Sequence, residues 1–137
     1  MKHKINLVLI ALLGAVCMPT YAEVIGNTDE QVRTIAAPIL DNILEGIKTG
    51  DYAKYVKDFD QTMKDALPQS MFIISNMQIQ HLFGQYLSSH YLGFLNKNHQ
   101  TLVLWKARYD KTEDDVLFKL SLSKRGDKNW VTGLWFQ

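Results

Sequence analysis

The chain after residue 27 opens with apolar residues at helical spacing. They recur three or four positions apart, which keeps them on one side of a helix, and they are Val32, Ile35, Ala36, Ile39, Leu40, Ile43, Leu44 and Ile47. Thr28 with Gln31 resembles a capping box, and Thr49-Gly50 is typical of a helix end. Pro38 predicts either a bend or a later helix start, because proline lacks the backbone donor and clashes with the preceding turn.

Two further helices are predicted. The second follows Asp51, a good capping residue, and ends before Pro68. Its apolar side carries Tyr52, Tyr55, Val56, Phe59 and Met63. The third runs from Ser70 to about Ser88 with Phe72, Ile73, Met77, Leu82, Phe83 and Tyr86. Because these residues spread around much of the circumference, we expect this helix to be the most buried.

After Ser89 the pattern changes to alternation, which indicates strands. Val103, Trp105, Ala107 and Tyr109 share one side of the first clear strand, opposite Leu102, Leu104, Lys106 and Arg108. Residues 116–123 alternate in the same way, and flanking strands are predicted at residues 91–95 and 130–136. Helices followed by closely connected strands predict an α+β domain with three N-terminal helices and an antiparallel sheet of about four strands.

The N-terminal 22 residues have the three parts of a cleavable export signal. Lys2, His3 and Lys4 precede an apolar run from residue 5 to 16, and the segment closes with Thr20-Tyr21-Ala22. A retained anchor would need about 20 continuous apolar residues, but Pro19 interrupts the run, and Val16 stands where a lipoprotein signal needs a small residue before Cys17. We expect a signal peptide at residues 1–22, a domain at 23–137, and a periplasmic or secreted product without a stable membrane anchor.

The size and charge of the processed chain limit its function. Loss of Lys2 and Lys4 leaves 13 Lys plus Arg against 14 Asp plus Glu, a net charge of −1 with histidines neutral. Such a balance does not attract polyanions, so we expect no nucleic-acid partner. The single cysteine leaves with the signal, and stability must then come from packing alone.

The candidate ligand site is a mainly aromatic set on the second helix and the first clear strand: Tyr52, Tyr55, Phe59, Met63, Trp105 and Tyr109. A helix side and a strand side of matching character can enclose a cavity, and the hydroxyl and indole groups would supply polar contacts. The alternative interpretation is that these residues form the core between helix and sheet.

The sequence offers little for catalysis or metal binding. His81, His90 and His99 are nine residues apart, which places neighbours on opposite sides of a helix. The acidic group Asp110, Glu113, Asp114 and Asp115 lacks the glycine and the final Glu of a calcium loop. No nucleophile, zinc, phosphate or dinucleotide motif is present. We therefore predict no catalytic residues, no metal and no cofactor.

Several short stretches resemble the nuclear transport factor 2-like, cystatin-like superfamily, most closely a bacterial and archaeal family of domains of unknown function. They are residues 41–46, Gly50-Asp51-Tyr52-Ala53, Asp58-Phe59-Asp60 with Met63-Lys64, and Gly133-Leu134-Trp135-Phe136. The resemblance implies a cone in which a curved sheet wraps the helices. Its isomerases use a base Asp and oxyanion donors, and no Asp here occupies a matching inward strand position.

We expect an exported, non-catalytic domain that binds a small apolar or amphipathic ligand or a protein partner. The alternatives are an isomerase or hydratase that uses the cone pocket, and a purely structural interaction module. A ligand binder needs an open pocket over Tyr52 and Trp105, and an enzyme also needs a carboxylate or histidine inside it. An interaction module has a filled core and an exposed apolar patch.

The second side of the strands predicts a homodimer through the sheet. Leu102, Leu104, Leu117 and Trp135 are accompanied there by Lys106, Arg108 and Lys119. An apolar centre with a charged rim suits an interface, and sheet pairing is frequent in the superfamily that the chain resembles. The alternative is that these are scattered surface leucines on a monomer.

Export is expected to end in cleavage between Ala22 and Glu23. Mass spectrometry of protein from the exported fraction should give a chain that begins at Glu23. A product that retains Cys17, acylated or not, would contradict this prediction.

Overall fold

A computed structural model describes residues 21–137 as four helices followed by one antiparallel sheet. The helices are α1 (Asp29–Thr49), α2 (Tyr52–Tyr55), α3 (Gln61–Ala66) and α4 (Gln69–Leu82). The strands are β1 (Tyr86–Lys97), β2 (Gln100–Tyr109), β3 (Val116–Arg125) and β4 (Lys128–Phe136), in the spatial order β1-β2-β3-β4. This confirms the predicted α+β class and the four-stranded meander. The basic start and apolar run of the predicted export signal lie outside the described residues.

Helix α1 begins and ends where its pattern predicts. The Gln31 N–H donates to the Thr28 hydroxyl at 3.2 Å, and Gly50, with φ +70°, donates its N–H to the Gly46 carbonyl. Glycine reaches this left-handed conformation at little cost, which explains the sharp stop. The helix continues through Pro38, so the proline does not mark its start. No helix among residues 21–137 is long and apolar enough to cross a membrane.

The predicted second helix is divided into α2 and α3, and a long-range backbone contact explains the division. Between them, Phe59 forms an isolated parallel bridge with Val131 of β4. The Asp60 N–H donates to the Val131 carbonyl at 3.0 Å, and the Val131 N–H donates to the Asp58 carbonyl at 2.7 Å. These bonds pair residues 58–60 with a strand, and the helix resumes only after Asp60 caps α3.

The third predicted helix is shorter and more exposed than its composition suggests. Helix α4 ends at Leu82, and residues 86–88 belong to β1. Phe72 is its one buried residue, whereas α1 buries six. The expectation that this helix is the most buried is therefore wrong, because it covers the sheet with one side and nothing in residues 21–137 covers the other.

The core lies between the helices and the inner side of the sheet. Strands β2 and β3 alternate as predicted, and their buried inner residues include Val103, Trp105, Ala107, Tyr109, Val116, Phe118, Leu120 and Leu122. A tight turn joins β1 to β2, where Asn98 and His99 have φ of 53° and 59°. Ahead of α1, Glu23 exchanges two backbone hydrogen bonds with Lys124 on β3, at 2.9 and 2.8 Å.

Gly46 sets the distance between α1 and α2. A Cβ at this position would lie 2.7 Å from the backbone nitrogen of Tyr55, so no side-chain rotation relieves the contact. We expect Gly46→Ala to lower the free energy of unfolding by about 1–3 kcal/mol, the usual cost of overpacking, although alanine favours helices by about 1 kcal/mol.

Chemical denaturation checks the Gly46 prediction. Ala37→Gly on the exposed side of α1 is the control, because it isolates helix propensity and should cost about 1 kcal/mol. A Gly46→Ala protein as stable as the parent would show that the helices are not in close contact here.

Candidate functional site

The structure packs most of the aromatic set into the core. Tyr55, Phe59 and Trp105 are buried members of the main core cluster, and Tyr52 and Met63 pack against it half-buried. The Tyr55 ring lies 4.9 Å from Phe59 and 4.6 Å from Phe72, centroid to centroid. This is the arrangement of a packed core, the alternative interpretation of the pattern. Ligand binding by the set stays a prediction.

Tyr109, the sixth residue of the set, lies apart from the others. It belongs to a second cluster with Ala107 and Val116, against which Ile79 and Phe83 pack. Its ring lies 5.6 Å from Phe83 and 5.8 Å from Tyr86. Tyr109 also borders a cleft of about 500 Å³, which makes it the member of the set best placed to meet a ligand.

The cleft lies where α1, the start of α2, the end of α4 and the start of β1 meet over Tyr109. Its apolar lining is formed by Leu44, Ile47, Ile79, Leu87, Tyr86 and Tyr109. Its charged lining comes from α1 and α2, namely Asp41, Glu45, Lys48 and Lys54. A molecule in the cleft would therefore meet apolar side chains and charges of both signs.

A hydrogen-bonded junction holds α4 and β1 in place beside the cleft. The carboxylate of Asp110 accepts from the Gln85 N–H at 2.7 Å, and the Asp110 N–H donates back to the Gln85 carbonyl at 3.0 Å. Lys111 donates its N–H to the Phe83 carbonyl at 3.0 Å. Gly84, with φ +82°, lies directly against Asp110, where a side chain would collide. The junction fixes the width of the cleft at the end of α4.

The tyrosine at the base of the cleft stays neutral over a wide pH range. Burial, with a smaller contribution from the neighbouring Tyr86, raises the pKa of Tyr109 from 10.0 to about 12. A neutral phenol donates and accepts one hydrogen bond each. Tyr109 can therefore contribute a neutral polar contact but no charge.

The acidic residue that is buried among residues 21–137, Asp60, lies away from the cleft. Asp60 is 7% exposed; one of its oxygens accepts from the Met63 N–H at 2.9 Å, and the other lies 3.2 Å from Arg125. It caps α3 and joins it to the end of β3. This is a structural role, since Asp60 does not line the cleft.

The three histidines that share a spacing lie on different elements. His81 is on α4, His90 is on β1, and His99 is in the turn between β1 and β2. Within residues 21–137, no group of three or more His, Cys, Asp or Glu side chains is arranged to hold a metal ion.

Sequence reasoning missed the charged side of the cleft. Asp41, Glu45 and Lys48 recur at four and three positions on α1, beside its apolar stripe. That spacing places them together on one side of the helix, but only the position of α4 shows that this side borders a cleft.

Comparisons with protein-family models, curated proteins and solved structures found no match.

We expect the fold to lose stability between about pH 10 and pH 12. Burial raises the pKa of Tyr55, as of Tyr109, from 10.0 to about 12. A group whose pKa is higher in the folded than in the unfolded chain stabilises the fold at pH values below its unfolded pKa. This contribution is lost as the pH rises through its folded pKa. Denaturant unfolding at intervals across this range, with tyrosinate absorbance recorded in parallel, measures the loss.

The double variant Tyr55→Phe and Tyr109→Phe should lose less stability over the same pH interval. If the free energy of unfolding of this variant falls as steeply with pH as that of the parent, the two buried phenols are not responsible for the loss of stability.

Proposed function

We propose that the chain is an exported, non-catalytic domain that binds a small amphipathic ligand in the cleft over Tyr109. The observation that carries the proposal is the composition of this cleft, which joins an apolar floor to a charged rim in about 500 Å³. Ligand pockets are commonly of this size and combine apolar walls with a few polar groups.

The architecture supports the resemblance to the nuclear transport factor 2-like superfamily as part of this proposal. Helices precede a four-stranded antiparallel meander, and the short motif Gly50-Asp51-Tyr52-Ala53 spans the junction of α1 and α2. A curved, cone-shaped sheet with a binding site at its open end would match the superfamily. The export signal rests on the N-terminal sequence.

Binding is favoured over catalysis by the position of the carboxylates. Asp41 is exposed and Glu45 is half-buried, both on the rim of the cleft. A general base must lie within hydrogen-bond reach of the proton that it removes from a bound substrate, and neither carboxylate belongs to the apolar floor of the cleft. Lys48 and Lys54 on the same rim can instead orient an anionic group of a ligand.

The fluorescent probe anilinonaphthalene sulfonate suits a test, because it joins apolar rings to one negative charge. We expect saturable binding that weakens about tenfold in the double variant Lys48→Glu and Lys54→Glu, since each reversed surface charge costs on the order of 0.5–1 kcal/mol. The matched control is Lys97→Glu with Lys124→Glu, which gives the same net charge at exposed positions outside the cleft.

The location of the probe is checked by a third variant. Met77→Ser on the exposed side of α4 should leave the fluorescence titration unchanged. Loss of binding in Met77→Ser, or equal loss in both lysine double variants, would contradict the cleft as the site.

A further inference from the structure

Helix α4 exposes an unusual number of large apolar side chains. Its exposed side, called the α4 face below, carries Met71, Ile73, Ile74, Met77 and Leu82, each between 43% and 68% exposed. The exposed polar residues Ser70, Gln78 and His81 lie between them. Phe72 and the half-buried Ser75, Asn76 and Ile79 point the other way, toward the rest of the domain. Contiguous exposed apolar patches of this kind mark interaction sites.

The α4 face lies in a long uncharged part of the chain. From residue 66 to residue 96 there is no Asp, Glu, Lys or Arg, although charged residues make up 21% of the whole sequence. This stretch includes all of α4 and nearly all of β1. A surface without fixed charge gives no electrostatic preference for a charged partner and no repulsion between identical copies.

From these observations we infer that the α4 face binds the α4 face of a second copy of this chain, forming a symmetric homodimer. In a twofold contact the same residues meet from both sides, so a charged residue near the axis would meet its own copy, and the α4 face carries no Asp, Glu, Lys or Arg. An antiparallel pair of α4 helices centred on Met77 would bring Ile73 and Ile74 of each copy against the second half of the other helix.

The exposed area is sufficient for a specific dimer. The five apolar residues are on average about half exposed. With Gln78 and His81, which lie on the same surface, they present an area on the order of 1,000 Å² for the pair. A specific interface needs about 1,000 Å² or more. Leu87, at the start of β1, is 61% exposed and borders the cleft formed partly by the end of α4, so residues beside the helix can add to this area.

The α4 face is a stronger candidate than the outer side of the sheet, where the sequence predicts a homodimer. Leu102, Leu104 and Leu117 are already half-buried there. Trp135 folds over Gly133, whose missing side chain makes room for the indole ring, and Lys119 lies 5.4 Å from the centre of that ring. These contacts within one copy leave less apolar surface for a partner.

Analytical ultracentrifugation of the protein, purified in the form that the cell produces, tests the inference. We expect twice the mass of one chain at micromolar concentration. Met77→Glu should weaken the dimer about 100-fold or more, because two carboxylates would meet in an apolar interface. Met77 is 68% exposed, so circular dichroism and thermal unfolding of the variant should match those of the parent.

Two matched variants locate the interface. Leu104→Glu places the same charge on the outer side of the sheet, and Gln69→Glu places it at the exposed start of α4. Both should remain dimeric.

The inference is overturned by a parent that stays monomeric at 100 µM, or by a dimer that dissociates with Leu104→Glu and not with Met77→Glu. A monomer that floats with phosphatidylcholine vesicles in a density gradient, and that no longer floats as Met77→Glu, would show that the α4 face binds lipid. This result would also overturn the inference.

Discussion

One short backbone contact, the bridge between residues 58–60 and Val131, joins the segment between α2 and α3 directly to the sheet. Its two hydrogen bonds, at 3.0 and 2.7 Å, interrupt a helical segment and hold Phe59 fully buried. Asp60 adds the cap of α3 and the ion pair with Arg125. Helices α3 and α4 follow Asp60 along the chain, so the contact anchors the segment from which α4 continues to the cleft.

Local patterns predicted most elements of the fold, and non-local contacts explain the differences. The capping group at Thr28, the stop at Gly50 and the alternation of β2 and β3 depend on neighbouring residues, and the structure confirms them. The division of the second helix depends on Val131, more than 70 residues further along the chain. No periodicity near Phe59 could show it.

Helix α4 shows why apolar composition overestimates burial in a small domain. Apolar residues around a helix normally indicate burial on all sides, but a domain of this size has too little chain to cover both sides of every helix. The cleft was missed for a related reason. Its lining comes from α1, α2, α4 and the strands together, so each segment looks like an ordinary amphipathic element when taken alone.

If the predicted cleavage after Ala22 takes place, the pairing of Glu23 with Lys124 sets an order on it. Both hydrogen bonds use the backbone of the residue that directly follows the expected scissile bond. A protease that binds its substrate as an extended strand would compete for the same backbone groups. Cutting after Ala22 would therefore have to happen while the first residues are still separate from β3, before the domain has closed. Folding that finished early would hide this bond, because the backbone of Glu23 would already be paired with β3.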